Sequence, residues 1–250
     1  ATTGTVTATI NGIGANLDGL QANSGSSSTQ SLTITVNDAM TGSGGVTSLN
    51  AIAAATTGTV TATSVSGNSG DLASLTASGT SATQAYTITV DNATNVSDGA
   101  AIAAATNAGT VDFSAAGVSD TFANLTSGTG VSSDMQAIDA KDADVAIDVS
   151  DVVAVDADAV TALNALRDDT NGTTGTVTAT INGDAAVLAN LTATASETGT
   201  SSLTITVNDA ADVSEGAAIV AATNAAAVDF SAGVSDTFAN LTSGTGVSSD

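Results

Sequence analysis

The chain has 250 residues, with 25 Asp and Glu residues against two basic residues, Lys141 and Arg167, and it lacks histidine and cysteine. Its net charge of −23 argues against nucleic-acid binding, which needs Lys and Arg to neutralise phosphates. The missing residue types exclude His-based triads, thiol chemistry, disulfides and zinc sites of the Cys/His kind. No apolar run approaches the roughly 20 residues that span a bilayer, so no membrane insertion is expected. Self-repulsion of this strength is best screened in a medium rich in salt or divalent cations, which predicts an extracellular protein.

A strand-like motif recurs along the chain and marks a tandem array. Its central valines, which are Val6, Val60, Val111, Val177 and Val228, are separated by 54, 51, 66 and 51 residues. In addition, Gly117–Asp134 is repeated letter for letter at Gly233–Asp250. We therefore expect one continuous solenoid over residues 1–250, with repeats at about 4–57, 58–108, 109–174, 175–226 and a partial repeat at 227–250. Because no distinct capping repeat is visible, both ends are expected to be cut from a longer array.

Each repeat contains four pieces in a fixed order. The first is a TVTAT-type strand, whose alternation places Val6, Ala8 and Ile10 on one face. The second is a helical turn with an apolar pair three residues apart, such as Leu72 and Leu75. The third is a TITV-type strand and the fourth is an alanine-rich helix with an apolar stripe. The TITV-type strands are expected at Thr33–Val36, Thr87–Val90, Ala146–Val149 and Thr204–Val207, and the helices follow them.

Alternation of strands and helices predicts parallel strands joined by right-handed crossovers. The expected fold class is a repeat solenoid of parallel β-strands with short Ala-rich helices, with two strands and two short helical segments per repeat of about 51 residues. Neighbouring strands lie about 4.8 Å apart, whereas helix axes need about 8–10 Å. These spacings are compatible with both strand types in one sheet or in two, and the number of sheets stays open.

A pair of turn-forming residues follows each TITV-type strand. The pairs are Asn37-Asp38, Asp91-Asn92, Ser150-Asp151 and Asn208-Asp209. Asn, Asp and Ser side chains bond readily to nearby backbone groups, so these pairs predict a ladder of turns and helix caps. A periodic cation site is the alternative.

The densest acidic stretch predicts the candidate metal ligands. Oxygen-rich loops suit calcium, and the candidates are Asp142, Asp144, Asp148, Asp151, Asp156 and Asp158. A solvated acidic surface is the competing interpretation, because no EF-hand loop and no calcium-binding nonapeptide is present. Asp156 and Asp158 also stand where they would cap the following helix. The scattered carboxylates have no aromatic cleft beside them, and we expect no enzymatic activity.

The threonine rows and the glycosylation sequons suggest two further surfaces. On a flat sheet the rows at Thr5/Thr7/Thr9, Thr59/Thr61/Thr63 and Thr176/Thr178/Thr180 would stack into ladders, as on an ice-binding face. Asp112 and Asp229 interrupt such a lattice, and β-propensity alone explains threonine in strands. Sequons that could carry glycans occur at Asn92, Asn95, Asn124, Asn171, Asn190 and Asn240.

The pieces TITVNDA, AAIVAATN, GTVTATI and VSDTFANLTSG resemble the Ala/Thr/Gly/Val-rich tandem repeats of giant extracellular proteins of bacteria, especially marine cyanobacteria. The resemblance covers essentially the whole chain. It implies export, display at the cell surface in adhesin-like proteins or surface layers, and a structural role. It implies no catalytic residues.

We therefore expect a structural extracellular protein, a segment of a fibre, sheath or surface layer, whose partners are copies of itself. Stacking could occur within one very long chain or between chains through unpaired sheet edges. A calcium-stiffened adhesin or glycan-binding module is the main alternative, and an ice-binding solenoid is a minor one.

Overall fold

The chain folds into parallel strands that alternate with helices. The computed structural model describes residues 5–21, 29–113, 117–167, 176–192, 202–222, 227–243 and 246–247. The strands are β1 Thr5–Gly12, β2 Thr29–Val36, β3 Met40–Thr41, β4 Thr59–Gly67, β5 Thr83–Val90, β6 Val111–Asp112, β7 Val118–Asp120, β8 Thr126–Ser127, β9 Gly130–Val131, β10 Ile147–Ala154, β11 Val177–Gly183, β12 Ser202–Val207, β13 Val228–Asp229, β14 Thr242–Ser243 and β15 Gly246–Val247. The helices are α1 Gly14–Leu17, α2 Gly42–Ala54, α3 Ser69–Leu72, α4 Val96–Ala104, α5 Phe122–Leu125, α6 Ser133–Asp139, α7 Ala157–Arg167, α8 Ala185–Leu188, α9 Val213–Ala222 and α10 Phe238–Leu241.

The chain divides into two compact units. The first unit comprises Ala1–Val118 and Ala137–Asp142, and the second comprises Ser119–Gln136 and Ala143–Asp250. Each unit is built from βα segments, a term we use for one strand with the helix that follows it. The predicted repeat boundaries do not coincide with this division, and one continuous array stays a prediction.

In the first unit the strands of the main sheet follow one another in chain order. The order is β1-β2-β4-β5-β6, all pairs are parallel, and the short β3 pairs with β4. Thr9 of β1 lies beside Thr33 of β2, and Thr35 of β2 lies beside Thr61 of β4. The TVTAT-type and TITV-type strands of this unit therefore alternate within one sheet and do not form two separate sheets.

The second unit repeats this arrangement. Its sheet has the order β7-β10-β11-β12-β13, again in chain order, and the register of β10 against β11 shifts between Asp148 and Val152. Two small antiparallel hairpins, β8-β9 and β14-β15, come from the two copies of the repeated sequence. Parallel strands that alternate with helices are thus confirmed in both units.

Residues along the strands alternate between buried and exposed. This alternation indicates that one face of each sheet is covered. In β5, Tyr86 and Ile88 are buried while Thr87 and Thr89 are exposed. Burial of each such Ile or Val side chain stabilises the folded state by about 1.5–3 kcal/mol relative to leaving it exposed. The predicted alternation fails in β1, where Val6 is 52% exposed. Within the described residues, β1 is the edge strand and has a strand neighbour on one side only.

All four predicted alanine-rich helices are present as α2, α4, α7 and α9. The predicted helical turns are also present, but each is only four residues long, and α3 ends at Leu72, before the second leucine of its pair. The sequence patterns did not predict α6.

A buried threonine joins each of the first two alanine-rich helices to a strand. Thr106 Oγ1 accepts from the backbone N–H of Tyr86 at 2.8 Å and donates to its carbonyl at 3.0 Å. Thr56 does the same with Leu32, at 2.7 and 2.9 Å. The glycine that follows, Gly109, lies so close to the Tyr86 carbonyl that a Cβ there would collide with it. The link between α4 and β5 therefore depends on both the Thr106 hydroxyl and the absence of a side chain at Gly109.

Candidate functional site

The residue pairs that follow the predicted TITV-type strands each cap a helix in an earlier βα segment, although Ser150 and Asp151 lie inside β10 and not in a turn. In each pair of turn-forming residues it is the second member that accepts the bond. Its side-chain oxygen accepts from the first backbone N–H of a four-residue helix, and the distance is 2.7 Å in all four cases. The acceptors and donors are Asp38 with Gly14, Asn92 with Ser69, Asp151 with Phe122, and Asp209 with Ala185. We call these four bonds the cap row.

The cap row connects residues that are 23 to 29 positions apart in the chain. The free N–H groups at a helix start need acceptors, and a four-residue helix has few of its own. Backbone bonds reinforce the link, since the N–H groups of Asn37, Asp91 and Asn208 donate to the carbonyls of Gly12, Gly67 and Gly183, each at 2.9 Å. The predicted cap ladder is confirmed, and each cap serves the preceding segment rather than its own.

Four of the six candidate calcium ligands accept hydrogen bonds from backbone N–H or hydroxyl groups. Asp148 accepts from the hydroxyl of Ser119 at 2.8 Å, and Asp156 accepts from the N–H of Ala159 in the first turn of α7 at 2.8 Å. Asp156 thus caps that helix as predicted. Asp151 belongs to the cap row, and Asp158 lies in the first turn of α7.

The remaining candidates lie in different units. Asp142 belongs to the first unit, where its Oδ2 accepts from the N–H of Phe113 at 2.6 Å, while Asp144 belongs to the second. Within the part of the chain that the structure describes, no three acidic side chains come close enough to hold a metal ion. The calcium hypothesis stays a prediction, and a chelator that lowers the melting temperature would support it.

The described residues form two notable concavities. One, of about 400 Å³, lies in the first unit beside Lys141, whose Nζ donates to the carbonyl of Asn107 at 3.0 Å. The other, of about 470 Å³, lies in the second unit against α9 and has a mostly apolar lining. Because neither lining contains a carboxylate, general acid–base chemistry by a paired carboxylate has no support in either place. That the chain is not an enzyme stays a prediction.

Threonines do form rows on the exposed face of the sheets, but not the rows that the sequence predicted. TVTAT-type strands are not neighbours, so Thr7 lies beside Ser31 of a TITV-type strand instead of stacking on another TVTAT copy. In the second unit Thr180 lies between Thr204 and the 62%-exposed Val152. The rows thus contain apolar interruptions in addition to the predicted acidic ones.

Among the sequons, the described asparagine side chains take part in structural hydrogen bonds. Asn92 belongs to the cap row, and Asn95 caps α4 by accepting from the N–H of Asp98 at 2.8 Å. Asn190 donates to the carbonyl of Ala186 at 2.8 Å. Asn124 and Asn240 donate to Asp120 and Asp236, both at 2.8 Å, and Asn171 lies outside the described residues. Glycosylation of these asparagines stays a prediction.

No family model, curated protein or solved structure matches this chain. Nor is any helix of the described ranges both long and apolar enough to cross a bilayer.

Proposed function

We propose that this chain is a structural protein, a solenoid segment of an extracellular fibre, sheath or surface layer that works by stacking βα segments. The observation that carries the proposal is the cap row. Four side chains with the chemistry of ligands or catalysts instead accept from the backbone of the neighbouring segment, each at 2.7 Å. The chain-order pairing of the strands supports the same reading, since each new segment adds to the last.

The surface and the charge support the extracellular part of the proposal. The exposed sheet face carries small polar side chains, and a net charge of −23 suits a medium in which ions screen repulsion within about 10 Å. The resemblance to bacterial surface repeats points the same way.

The edge strand β1 is the proposed contact between copies. Among the described residues it lies at the end of the first sheet, and its Val6 is 52% exposed. A free strand edge is a template for pairing with another chain. Analytical ultracentrifugation tests this by following the sedimentation coefficient as protein and salt concentrations rise.

We expect the 23.6 kDa chain to form larger species with rising concentration and with rising salt, because salt screens the repulsion between copies. Val6→Lys should abolish these species, whereas Thr63→Lys, which adds the same charge at an exposed position of the interior strand β4, should not. A chain that stays monomeric under all these conditions overturns self-assembly.

Ice binding is the second candidate, and one observation favours it. Threonines of neighbouring strands lie directly side by side, as with Thr9 and Thr33, or Thr180 and Thr204. Thermal hysteresis of the purified chain tests this candidate. Thr180→Asp should reduce the hysteresis, because it places a charge in the threonine row. An absence of hysteresis in the wild-type chain rules it out.

A further inference from the structure

The alternation of residues in the strands specifies which face is buried, but not the register of one strand against the next. In β4, Val60 and Ala62 are buried, while Thr59 and Thr61 lie on the other face. Because the side-chain period of a strand is two residues, a slip of two residues in this stretch leaves the threonines and the apolar residues on their original faces. A contact outside the strand pattern must therefore fix the register of a βα segment.

An asparagine of α2 makes such a contact with the segment that follows it. Asn50 Nδ2 donates to the carbonyl of Ser74 at 2.8 Å, and its Oδ1 accepts from the backbone N–H of Thr76 at 2.8 Å. Both partners lie in residues 74–76, shortly after α3, and we call these residues the corner of the segment. The two bonds use both ends of one amide, so they define the position of the corner and not only its proximity.

The second unit contains the same contact in its own copy. Asn164 of α7 donates to the carbonyl of Asn190 at 3.0 Å and accepts from the N–H of Thr192 at 3.0 Å. This second corner lies shortly after α8. The leucine in the middle of each corner is only 5% exposed. Each asparagine therefore holds a corner that also inserts a leucine into the core.

Asparagine occupies this position in alternate alanine-rich helices. The sequence VTSLNAI of α2 recurs as VTALNAL in α7, whereas α4 and α9 have VSDGAAI and VSEGAAI, with alanine in place of the asparagine. The segment that follows α4 in the chain contains the first hairpin copy. There the N–H of Thr126, the counterpart of Thr76, donates to the carbonyl of Phe122 in its own helix. The alanine of α4 thus precedes a corner that bonds within itself.

The cap row and the asparagine act at opposite ends of α3. Asn92 of the following segment accepts from Ser69 at the start of the helix, and Asn50 of the preceding segment binds the corner after its end. A slip of two residues would move this corner by about 6.6 Å along the strand direction, which breaks both bonds to Asn50. The register against the preceding segment is therefore recognised at Asn50.

We propose that Asn50 and Asn164 are the specificity-determining residues of segment stacking, and that each selects the register in which the next βα segment docks. The group that each amide recognises is a backbone corner with one carbonyl and one N–H two residues apart. This inference rests on the proposed function, since it names the residues that direct the stacking, but it involves neither β1 nor a contact between copies.

Disulfide trapping in the full chain, in dilute solution, tests the proposal, because the chain has no cysteine of its own. Thr35→Cys with Thr61→Cys places thiols on register partners of β2 and β4, whose Cα atoms are about 5 Å apart, a distance that a disulfide spans. Thr35→Cys with Thr59→Cys joins positions two residues out of register, about 8 Å apart, which a disulfide does not span. With Asn50 present, we expect the first pair to oxidise and the second to stay reduced.

Substitution of the asparagine gives the decisive comparison. Asn50→Ala should raise the rate at which the Thr35/Thr59 pair oxidises at least about tenfold, since two hydrogen bonds to the corner are lost. Asn50→Asp keeps the acceptor but cannot donate to the Ser74 carbonyl, and should give a smaller increase. Ile52→Val is the matched control, because it removes a buried methyl group from the same helix, leaves the corner bonds intact and should leave the rate unchanged.

Hydrogen exchange tests the second copy independently. Asn164→Ala should speed exchange of the Thr192 amide about fivefold, because that amide loses its acceptor. The Thr76 amide should be unchanged in the same variant, since it bonds to Asn50. An unchanged rate at Thr192 would overturn the assignment in the second unit.

Two results would overturn the assignment in the first unit. The Thr35/Thr59 pair could stay reduced in Asn50→Ala, or Ile52→Val could raise its oxidation as much, which would attribute the slip to lost stability. All of these measurements are made within one chain. A chain that never self-associates can still depend on Asn50 for its register, and the reverse, so failure of one proposal is distinguishable from failure of the other.

Discussion

The same sequence stands in two places in this molecule, and its described residues form the same helix and hairpin in both. In Gly117–Asp134 and Gly233–Asp250, a four-residue helix is followed by a small hairpin. Thr126 and Thr242 both donate to the first carbonyl of that helix at 2.7 Å. These two hydrogen bonds are therefore set by the motif itself.

The burial of the two copies is different. Leu125 in the first copy is completely buried, whereas Leu241 in the second is only partly covered and Phe238 is 81% exposed. In the first copy, Asp151 of the following segment also caps the helix through Phe122. The comparison teaches that a βα segment supplies part of its own hydrogen bonding but depends on its neighbours for its core and for the cap of its helix.

The largest expected effect comes from truncating the same leucine in each copy. Leu125→Ala should lower the free energy of unfolding of the second unit by about 2–5 kcal/mol, because a buried leucine leaves a cavity. Leu241→Ala should cost about 1 kcal/mol or less, since that side chain is already in partial contact with water. Both residues belong to the second unit, so urea unfolding followed by circular dichroism compares them in one transition. Equal costs would break the comparison.

A second variant removes a neighbour's contribution and leaves the core alone. Asp151→Ala deletes the cap of the first-copy helix and should cost about 1 kcal/mol, typical of a lost N-cap. Asp151→Asn keeps an oxygen at the same place and serves as the control, with an expected cost of a few tenths of a kcal/mol. If the asparagine variant loses as much as the alanine variant, the carboxylate acts through its charge and not as a cap.

The smallest difference is expected where only local bonds are removed. Asn124 and Asn240 donate to Asp120 and Asp236 at the same distance of 2.8 Å, in exposed surroundings. Asn124→Ala and Asn240→Ala should therefore have similar effects, each within about 0.5 kcal/mol of the wild type. A large cost in the first copy alone would show that the local bonds also depend on the neighbours.

The pH dependence reports on two carboxylates of the second unit. The backbone N–H of Thr237, together with the Asn240 side chain, lowers the pKa of Asp236 below its ordinary value of 3.8. The backbone N–H of Glu215, together with the Ser214 hydroxyl, lowers the pKa of Asp212 in the same way. A carboxylate with a lowered folded-state pKa contributes stability that is present above its unfolded pKa and is lost as the pH falls through the folded pKa.

Carbon-13 NMR titration of the side-chain carboxyls should therefore place the midpoints of Asp212 and Asp236 below 3.8. The Asn240→Ala variant should move the Asp236 midpoint upward and leave Asp212 unchanged, because the amide of Asn240 bonds only to the former. A midpoint of Asp236 at or above its ordinary value in the wild-type chain would contradict the hydrogen-bond assignment.

Sequence patterns predicted the parts of this fold that depend on local periodicity. Thr/Val alternation identified both strand types, and the alanine-rich stripes identified all four long helices. The cap ladder was also predicted from residues such as Asp38 and Asn92. The sequence could not say which helix each of them caps, because the acceptor and donor are at least 23 residues apart and meet only when the strands pair.

The predictions that failed also depend on contacts between residues that are distant in the chain. The alternation of residues in β1 predicted that Val6 is buried. Val6 is exposed instead, and β1 is the edge strand of the sheet formed by the described residues. Helix α6 was not predicted, although Met135 and Ile138 show the apolar spacing of three residues that marks the other helical turns.

Hydrogen exchange of two backbone amides tests the central claim most directly. The N–H of Leu125 donates to the carbonyl of Thr121 at 3.1 Å, and that of Leu241 donates to Thr237 at 3.0 Å, within identical sequences. If neighbours provide the stability of a βα segment, Leu125 should exchange at least about 100-fold more slowly than Leu241 at the same pH and temperature. Equal exchange rates at the two amides would contradict the account.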